Sequence, residues 1–263
     1  DYTLKDNLVV SELVIDKALT LDLDGYTVYG DIKVTASGSV TIKNGNISGT
    51  VTLDNTALDF TNDATINNVT IINVGSSTFY NDGVVGGIVI NTKNAVKIVN
   101  NGTIESAIVV KNAGDTITIQ SVSNVEVNNA SDKDIKVGGT TVKPGETFKV
   151  DINTVADAVY EAVNAVLKED SSVDGIKAAV AAGFEAANDY GVVITWKSNK
   201  EDVVKINNDT KEVTVTQPKA GQPDAKVELT ATIKKDKDAK ESKDIKFDVV
   251  VKAAEAADAN AEE

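Results

Sequence analysis

The chain contains no Cys, no His and no Met, and all of its basic residues are Lys, so Arg is absent as well. Without Cys there is no disulfide bond and no thiolate metal site. No stretch of about 18 apolar residues occurs, and the sequence therefore predicts no membrane-spanning helix. Because translation starts at Met, its absence predicts that Asp1 is a processed N-terminus or a segment boundary, and we favour removal of a signal peptide.

Positive charge is scarce. Lys and Arg together number 26 against 40 Asp and Glu, which gives a formal net charge of −14. Nucleic acids bind basic surfaces and anionic membranes attract clusters of Lys and Arg, so this charge argues against both as partners. An acidic, Cys-free chain rich in Val, Thr, Asn and Asp is typical of a secreted or cell-surface protein, and an acidic cytoplasmic protein is the alternative.

One short unit recurs along the first half of the chain. Val40–Ile47 is one copy, with an apolar pair two residues apart, then Asn-Gly, then a single apolar residue. A second apolar pair follows each copy, as Val51 and Leu53 do here. The Asn-Gly position returns at intervals of 20, 19, 19, 19 and 19 residues, at Asp24-Gly25, Asn44-Gly45, Asp63-Ala64, Asp82-Gly83, Asn101-Gly102 and Gln120-Ser121.

Three short strands in each repeat of about 19 residues indicate a solenoid. We predict a mainly β protein that begins with a right-handed parallel β-helix of about six coils over residues 1–137. The inward positions are Val, Ile and Leu, which fit a buried pleated face, and the corners take Asn, Asp and Gly, which tolerate a left-handed backbone. Stacked Asn side chains can also hydrogen-bond between coils. The coil that ends at Asp82 is the poorest match, because Phe79 stands alone in place of an apolar pair.

Residues 138–150 carry two turn signals, Gly138-Gly139 and Pro144-Gly145. They predict a hairpin that caps the last coil and joins it to the next domain. Helical spacing of apolar residues then predicts two short helices, the first from Ile152 and the second after a cap at Asp174.

From Val192 onward the apolar period returns to two. Five short strands separated by turns predict a β-sandwich, with Trp196, the only Trp, as its core anchor. Together with the helical lead-in this domain spans residues 151–252. Residues 253–263 are expected to form a flexible acidic tail.

Several segments of this second domain carry a family resemblance. Ile194–Asn199, Val203–Ile206, Val227–Ile233 and Phe247–Val251 resemble, in this order, the strands of atypical bacterial immunoglobulin-like (Ig-like) domains. Such domains occur in cell-surface and secreted proteins of Gram-positive bacteria. The resemblance therefore implies an Ig-like fold and export from the cell.

The solenoid carries a second resemblance. Leu19–Val28, together with Val40–Gly45, resembles the β-helical regions of surface-layer-associated proteins. The two resemblances together imply an exported structural or adhesive protein of the cell envelope. Neither a surface-layer-homology anchor nor a sortase-type signal is visible in the sequence.

Acidic residues of the first coils are the candidates for chemistry. Asp22 and Asp24 both project outward at a separation that suits glycoside hydrolysis, but no aromatic residue beside them can stack a sugar ring. The β-helix families that degrade polyuronates rely on Arg, His or Lys beside their carboxylates, and this chain has neither Arg nor His. We therefore predict no catalytic residue and no enzyme activity, with a polyuronate-active enzyme as the less favoured reading.

Calcium is the one cofactor that the sequence leaves open. Asp22, Asp24 and Asp31 lie close together in the sequence, and Ca²⁺ needs several oxygen ligands at one point. Their spacing lacks the dense Asp/Gly pattern of a recognised calcium motif, so a solvated acidic face is the alternative.

The residues before the first recognisable coil are the candidates for assembly. Tyr2, Leu4, Leu8, Val9 and Val10 predict one or two short strands that begin the solenoid, cap its end, or pair with a neighbouring subunit by strand addition.

The preferred function is that of a structural, extracellular protein that assembles with itself, such as a surface-layer or fibre subunit. The alternative is an adhesin for cell-wall or host polysaccharide, which predicts an outward aromatic cluster on the rod. Tyr26, Tyr29, Phe79 and Tyr80 are the candidates for that cluster.

Overall fold

A computed structural model of the chain describes residues 1–55, 57–73, 78–114, 116–121, 124–235 and 237–255. The chain divides into two compact units, residues 1–151 and 152–263. The first unit is a β-solenoid, and the second contains two helices followed by β-sheets, so the predicted fold class is confirmed.

In the first unit each turn of chain lies on the previous turn through parallel strand pairs, as in a parallel β-helix. Within the described ranges its strands form one 16-stranded sheet. The strands are β1 (Tyr2–Thr3), β2 (Leu8–Ile15), β3 (Leu19–Asp22), β4 (Thr27–Val34), β5 (Gly38–Asp54), β6 (Leu58–Asn73), β7 (Thr78–Asn81), β8 (Val84–Asn91), β9 (Val96–Asn100), β10 (Thr103–Ile104), β11 (Ile108–Asn112), β12 (Ile117–Gln120), β13 (Val125–Asn129), β14 (Ile135–Val137), β15 (Thr140–Val142) and β16 (Thr147–Val150).

The strands build three faces, each with a column of inward side chains in register. Face A carries Leu19, Val40, Phe60, Phe79, Ile98 and Ile119. Face B carries Leu8, Val28, Ile47, Ile66, Val85 and Ile104. Face C carries Leu13, Ile32, Val51, Val69, Ile88, Ile108 and Val127.

The solenoid has about seven turns, where about six were predicted. The additional turn is the first one, because Tyr2 pairs with Leu21 and Leu8 pairs with Val28. The first residues of the chain therefore begin the solenoid, which was one of the three roles left open for them.

Asparagine replaces the apolar residue at one inward position of the middle turns. In the column that holds Leu21 and Ile42 in the early turns, the later turns place Asn62, Asn81 and Asn100. Each of these three side chains is fully buried. Asn62 donates to Asn81 at 2.8 Å and Asn81 donates to Asn100 at 2.8 Å, so a ladder of amides runs along the interior. This ladder explains the irregular coil at Asp82, since Asn81 occupies the inward position and Phe79 packs against Phe60 at 5.8 Å.

The corners use two different physical devices. Asp24, Gly25 and Asn44 have φ values of 48°, 85° and 58°, which is the left-handed backbone predicted for them. Gly83 and Gly102 have no such φ. A Cβ at Gly83 would instead overlap the carbonyl oxygen of Ala64, and one at Gly102 would overlap that of Gly83. At these two corners glycine is needed because successive turns approach closely.

Antiparallel strands close the C-terminal end of the solenoid. β15 pairs antiparallel with β14, and β16 pairs antiparallel with β13. Buried Asn129 fastens this end: its Nδ2 donates to the carbonyl oxygens of Lys133 at 2.9 Å and Val142 at 2.8 Å, and its Oδ1 accepts from the Ser131 hydroxyl at 2.6 Å. The inward side chains of the last turn are thereby covered, because Val142 and Val150 are buried.

The second unit begins with helices α1 (Ile152–Glu169) and α2 (Val173–Asp189). The N-cap of α2 is Ser172, whose hydroxyl accepts from the backbone N–H of Gly175 at 3.2 Å. The cap predicted at Asp174 is therefore wrong. Asp174 lies in the first helical turn, where its negative charge interacts favourably with the helix dipole.

Five strands follow the helices in the described part of this unit. They are β17 (Val193–Ser198), β18 (Val204–Ile206), β19 (Val213–Val215), β20 (Ala225–Lys234) and β21 (Ser242–Val251). β17, β20 and β21 form an antiparallel sheet, and β18 pairs with β19. Of the predicted acidic tail, residues 256–263 lie outside the described ranges.

Trp196 anchors the core between the helices and the three-stranded sheet. Its ring centroid lies 6.4 Å from that of Phe184 on α2 and 5.5 Å from that of Phe247 on β21. The predicted role of Trp196 is confirmed, since only 2% of its surface is exposed. The side chain of Asn208 binds the backbone of Trp196 at both groups. Its Oδ1 accepts from the backbone N–H of Trp196 at 2.6 Å, and its Nδ2 donates to the Trp196 carbonyl oxygen at 3.0 Å.

The amide ladder is testable with Asn81→Ala. The change removes the donor to Asn100 and to the Thr103 carbonyl in the interior, and we expect the free energy of unfolding to fall by about 2–4 kcal/mol. Chemical denaturation followed by circular dichroism measures the loss. The control is Asn101→Ala, which removes an exposed hydrogen bond between turns, from Asn101 to Asp82, and which we expect to cost about 0.5 kcal/mol or less. Equal losses in the two variants would contradict a special role for the buried ladder.

Close packing on Trp196 is testable with Gly183→Ala. Ala is the better helix former by about 1 kcal/mol, but its Cβ would lie 2.6 Å from Cζ2 of Trp196. We therefore expect a net loss of about 1–3 kcal/mol in unfolding free energy, measured from the fluorescence of this single Trp. Asn188→Ala, at an exposed position of the same helix, should leave stability unchanged or raise it. If Gly183→Ala raised the free energy of unfolding, α2 and the indole ring of Trp196 would be able to move apart without loss of stability, which would contradict the prediction.

Candidate functional site

The acidic candidate Asp22 is engaged by its neighbours in the solenoid. Its Oδ1 accepts from the backbone N–H of Asp24 at 3.0 Å and from Nδ2 of Asn44 at 3.1 Å. Its Oδ2 lies 3.2 Å from Nζ of Lys43 on the next turn. The hydrogen bond from the Asp24 backbone, followed by those from Asn44 and Lys43, lowers the pKa of Asp22 below 3.8. Such a carboxylate is held ionised and oriented along the rod.

The other two calcium candidates do not join Asp22. Asp31 lies on another part of the same turn, where its Oδ1 accepts from the Thr50 N–H at 2.8 Å. Asp24 is an exposed corner residue. In the described ranges no group of three or more His, Cys, Asp or Glu is placed to hold a metal ion. Calcium binding at these residues stays a prediction, and the observed contacts of Asp22 and Asp31 are bonds between turns.

The aromatic candidates are separated in the structure. Phe79 is buried against Phe60 and cannot stack a sugar ring. Tyr29 is 49% exposed on the second turn and Tyr80 is 37% exposed on the fifth. Their turns are three inter-turn spacings of about 4.8 Å apart, so Tyr29 and Tyr80 do not form the outward cluster that a glycan-binding rod predicts.

The first turn of the solenoid, here called the open end, has no strand paired on its outer side within the described residues. In the described part of the chain, β1 pairs only with β3 and β2 pairs only with β4, so each strand has one unpaired edge. The inward residues show the consequence. Leu8 and Leu13 are half-exposed, whereas Val28 and Ile32, their partners one turn further on, are fully buried.

An apolar cavity of about 400 Å³ lies at this open end. Tyr2, Leu4, Leu8, Val10 and Leu13 contribute to its lining. Tyr2 and Val9 are among the most exposed large apolar side chains of the described residues, at 62% and 78%. Unpaired strand edges with exposed apolar side chains are a template for pairing with another chain.

All five assembly candidates lie in this first turn. Tyr2 belongs to β1, Leu4 is buried just after it, and Leu8, Val9 and Val10 belong to β2. Their strands already pair with β3 and β4 of the same chain, so they offer another chain only the unpaired edge of a strand and not a separate strand.

The predicted assembly candidates do not include the second half of β2. Val14 is 53% exposed, and Leu13 and Ile15 also line the open end. A signal was present, because Leu13 and Ile15 precede the equivalent pair Ile32 and Val34 by 19 residues. An equivalent apolar pair follows at 18 to 20 residues in each later turn of this face up to the sixth.

Comparison with known proteins finds that the second unit is similar to a family of domains. A sequence model described as the atrophied bacterial Ig domain matches residues 156–254. The match includes most of α1, all of α2 and β17–β21, so the Ig-like domain is confirmed and its helices belong to it. No curated protein and no solved structure matches the chain significantly.

Bacterial Ig-like domains are typically extracellular or surface-exposed, and with the β-solenoid this domain fits an extracellular structural or binding role. Neither helix in the described ranges is long and apolar enough to cross a membrane.

The charge of Asp22 is testable through pH. Because its folded-state pKa is lowered, the stability that it contributes is present above pH 3.8 and is lost as the pH falls through the lowered value. We expect Asp22→Asn to be less stable than wild type at neutral pH, and the two unfolding free energies to converge in acid. Denaturant unfolding of both proteins at neutral pH and in acid measures the two free energies. A difference between wild type and Asp22→Asn that persists in acid would contradict the ionic role of Asp22.

Proposed function

We propose that this protein is a non-catalytic, extracellular structural protein that assembles with copies of itself, as the subunit of a surface layer or fibre. The observation that carries the proposal is the open N-terminal end of the solenoid, with its two unpaired strand edges and its apolar cavity. Burial of apolar surface and pairing of the free backbone groups would both favour association there.

The rest of the rod supports a mechanical role. Its interior is a continuous column of apolar residues and amides, and its carboxylates, such as Asp22 and Asp31, bond to adjacent turns. The absence of Arg and His leaves few groups for chemistry on acidic sugars. Degradation of polyuronates by the purified protein with calcium supplied would contradict the non-catalytic part of the proposal.

The assembly surface is testable with Val9→Lys. Val9 is 78% exposed, so the change leaves the fold intact, but it places a charge beside the unpaired edge of β2. We expect the dissociation constant for self-association, from sedimentation velocity of the full chain, to rise at least about tenfold. Negative-stain electron microscopy should show the loss of larger assemblies.

The matched control is Ile72→Lys, which changes an exposed apolar residue (41%) in the middle of the rod. It should leave association unchanged. Dispersed monomers of the wild-type protein at high concentration, across salt and calcium conditions, would contradict self-assembly altogether.

A further inference from the structure

We propose that a groove lined with asparagine side chains, on the side of the solenoid, binds a neutral saccharide. The groove, here called the amide groove, has a volume of about 310 Å³ and lies where face C of one turn leads into face A of the next. Its described lining includes Asn73, Asn91, Asn94 and Asn112, together with the exposed Ile72. This volume is at the lower end of the roughly 300–1,000 Å³ of small-ligand sites, so the groove suits a short stretch of sugar chain.

The repeat of the solenoid brings the four amides together. Asn73 ends β6, Asn91 ends β8, Asn112 ends β11, and Asn94 lies in the corner before β9. These strands belong to successive turns that pair in parallel, at about 4.8 Å from one turn to the next. The groove therefore extends along the rod for about 10 Å. Thr92, which is buried, fixes the corner because its hydroxyl oxygen accepts from the backbone N–H of Asn94 at 3.1 Å.

The four amides form two hydrogen-bonded pairs, each of which joins one turn to the next. Nδ2 of Asn94 donates to Oδ1 of Asn73 at 2.7 Å, and Nδ2 of Asn112 donates to Oδ1 of Asn91 at 2.8 Å. Among the described residues, these are the only hydrogen bonds of the four side-chain amides. Each amide has two N–H groups and two lone pairs. Every one of the four is therefore held in place and keeps donors and acceptors for a ligand.

This arrangement matches the chemistry of a sugar. A sugar hydroxyl both donates and accepts, and an amide presents a donor and an acceptor in one plane, so one amide can bond two adjacent hydroxyls. Because the pairs already hold the amides, binding costs them little further conformational entropy. Ile72 is 41% exposed and supplies apolar surface for the C–H face of a sugar ring. The described lining thus combines polar and apolar contacts without an aromatic side chain.

The charge of the groove differs from that of the rest of the chain. Its described lining contains no Asp or Glu, although the chain has 40 of them. One turn earlier the position of Asn73 is taken by Asp54, whose Oδ2 lies 3.4 Å from Nζ of Lys33. An ion pair is thus replaced by amides where the groove begins. The ammonium group of Lys93 adds hydrogen-bond donors. Since a net charge of −14 repels polyanions, we assign the groove to an uncharged saccharide.

A peptide is a poorer ligand for the same groove. Peptides that bind to β-structures gain affinity from main-chain hydrogen bonds to an unpaired strand edge. At this groove β8 already lies between β6 and β11 and pairs with both. A ligand here meets side chains alone, and a sugar ring carries hydroxyls on several sides to bond with them.

The first experiment tests binding by the full chain. Ligand-detected saturation-transfer NMR measures dissociation constants for tetrasaccharides of glucose, galactose, mannose and N-acetylglucosamine, whether the protein is monomeric or assembled. We expect a dissociation constant of about 1 mM for at least one of them, because hydrogen bonds formed in competition with water contribute modestly. If none of the four binds at up to about 10 mM, the proposal is overturned.

Variants locate the site. Asn91→Ala/Asn112→Ala removes the pair whose members are both exposed, and the dissociation constant should rise at least about tenfold. Ile72→Ala, which leaves all four amides in place, should raise it about threefold. The matched control is Asn101→Ala, an exposed amide at another corner of the rod, which should stay within about twofold of wild type. Circular dichroism verifies that each variant is folded. Binding that is unchanged by Ile72→Ala and by the double variant, or that is lost equally in the control, would overturn the site.

The class of ligand is tested by salt and by competing ligands. For an uncharged saccharide the dissociation constant should not change between about 0.05 and about 0.5 M ionic strength. Tighter binding of polygalacturonate, or binding that weakens steeply with salt, would overturn the neutral class. A Gly/Ser peptide that binds as tightly, with the same response to the variants, would replace the saccharide by a peptide.

The outcomes also separate this site from the proposed function. Dispersed monomers that bind a neutral sugar would contradict self-assembly and leave the amide groove as proposed. Assemblies of the wild-type chain that bind no sugar would overturn the groove and leave self-assembly in place.

Discussion

Each turn of the β-helix depends on the turn beside it. A strand of four or five residues has too little surface to be stable alone, and it gains its hydrogen bonds and its buried side chains from the adjacent turns. The period of about 19 residues follows from this constraint, since equivalent residues must meet in register around all three faces. A polar residue can enter the interior only if the next turn supplies its partner. The ladder from Asn62 to Asn100 meets that condition.

The constraint leaves two ends, and this protein treats them differently. At the C-terminal end the chain reverses, and β15 and β16 cover the last turn before the helices begin. At the N-terminal end β1 and β2 have one partner each in the described structure, as β15 and β16 do at the other end, but the inward residues Leu8 and Leu13 remain half-exposed. Edge strands of this kind are usually blunted by charge, Pro or a covering segment.

The core of the Ig-like unit is built differently, from helices that pack on a sheet. Its three-stranded sheet is narrow, and α1 and α2 supply the layer that packs on Trp196 and Phe247. Gly183 permits the close approach of α2 to the indole ring. The free edge of β17 at Trp196 is satisfied by the side chain of Asn208, which substitutes for a neighbouring strand.

The repeat period, the inward Val, Ile and Leu positions, the two helices and the strands from Val193 to Val251 were all predictable from the sequence, because they depend on local periodicity. Only the tertiary structure showed that Tyr2–Ile15 is a complete turn, that Asn81 is an inward residue, and that Ser172 caps α2. Each of these depends on what lies opposite: Leu8 reads as part of a turn only when paired with Val28, and Asn81 is tolerated inside only between two other amides. The corner Asn44-Gly45 was visible in the sequence, but the register in which its turn pairs with the turns on either side was decided only by the tertiary structure.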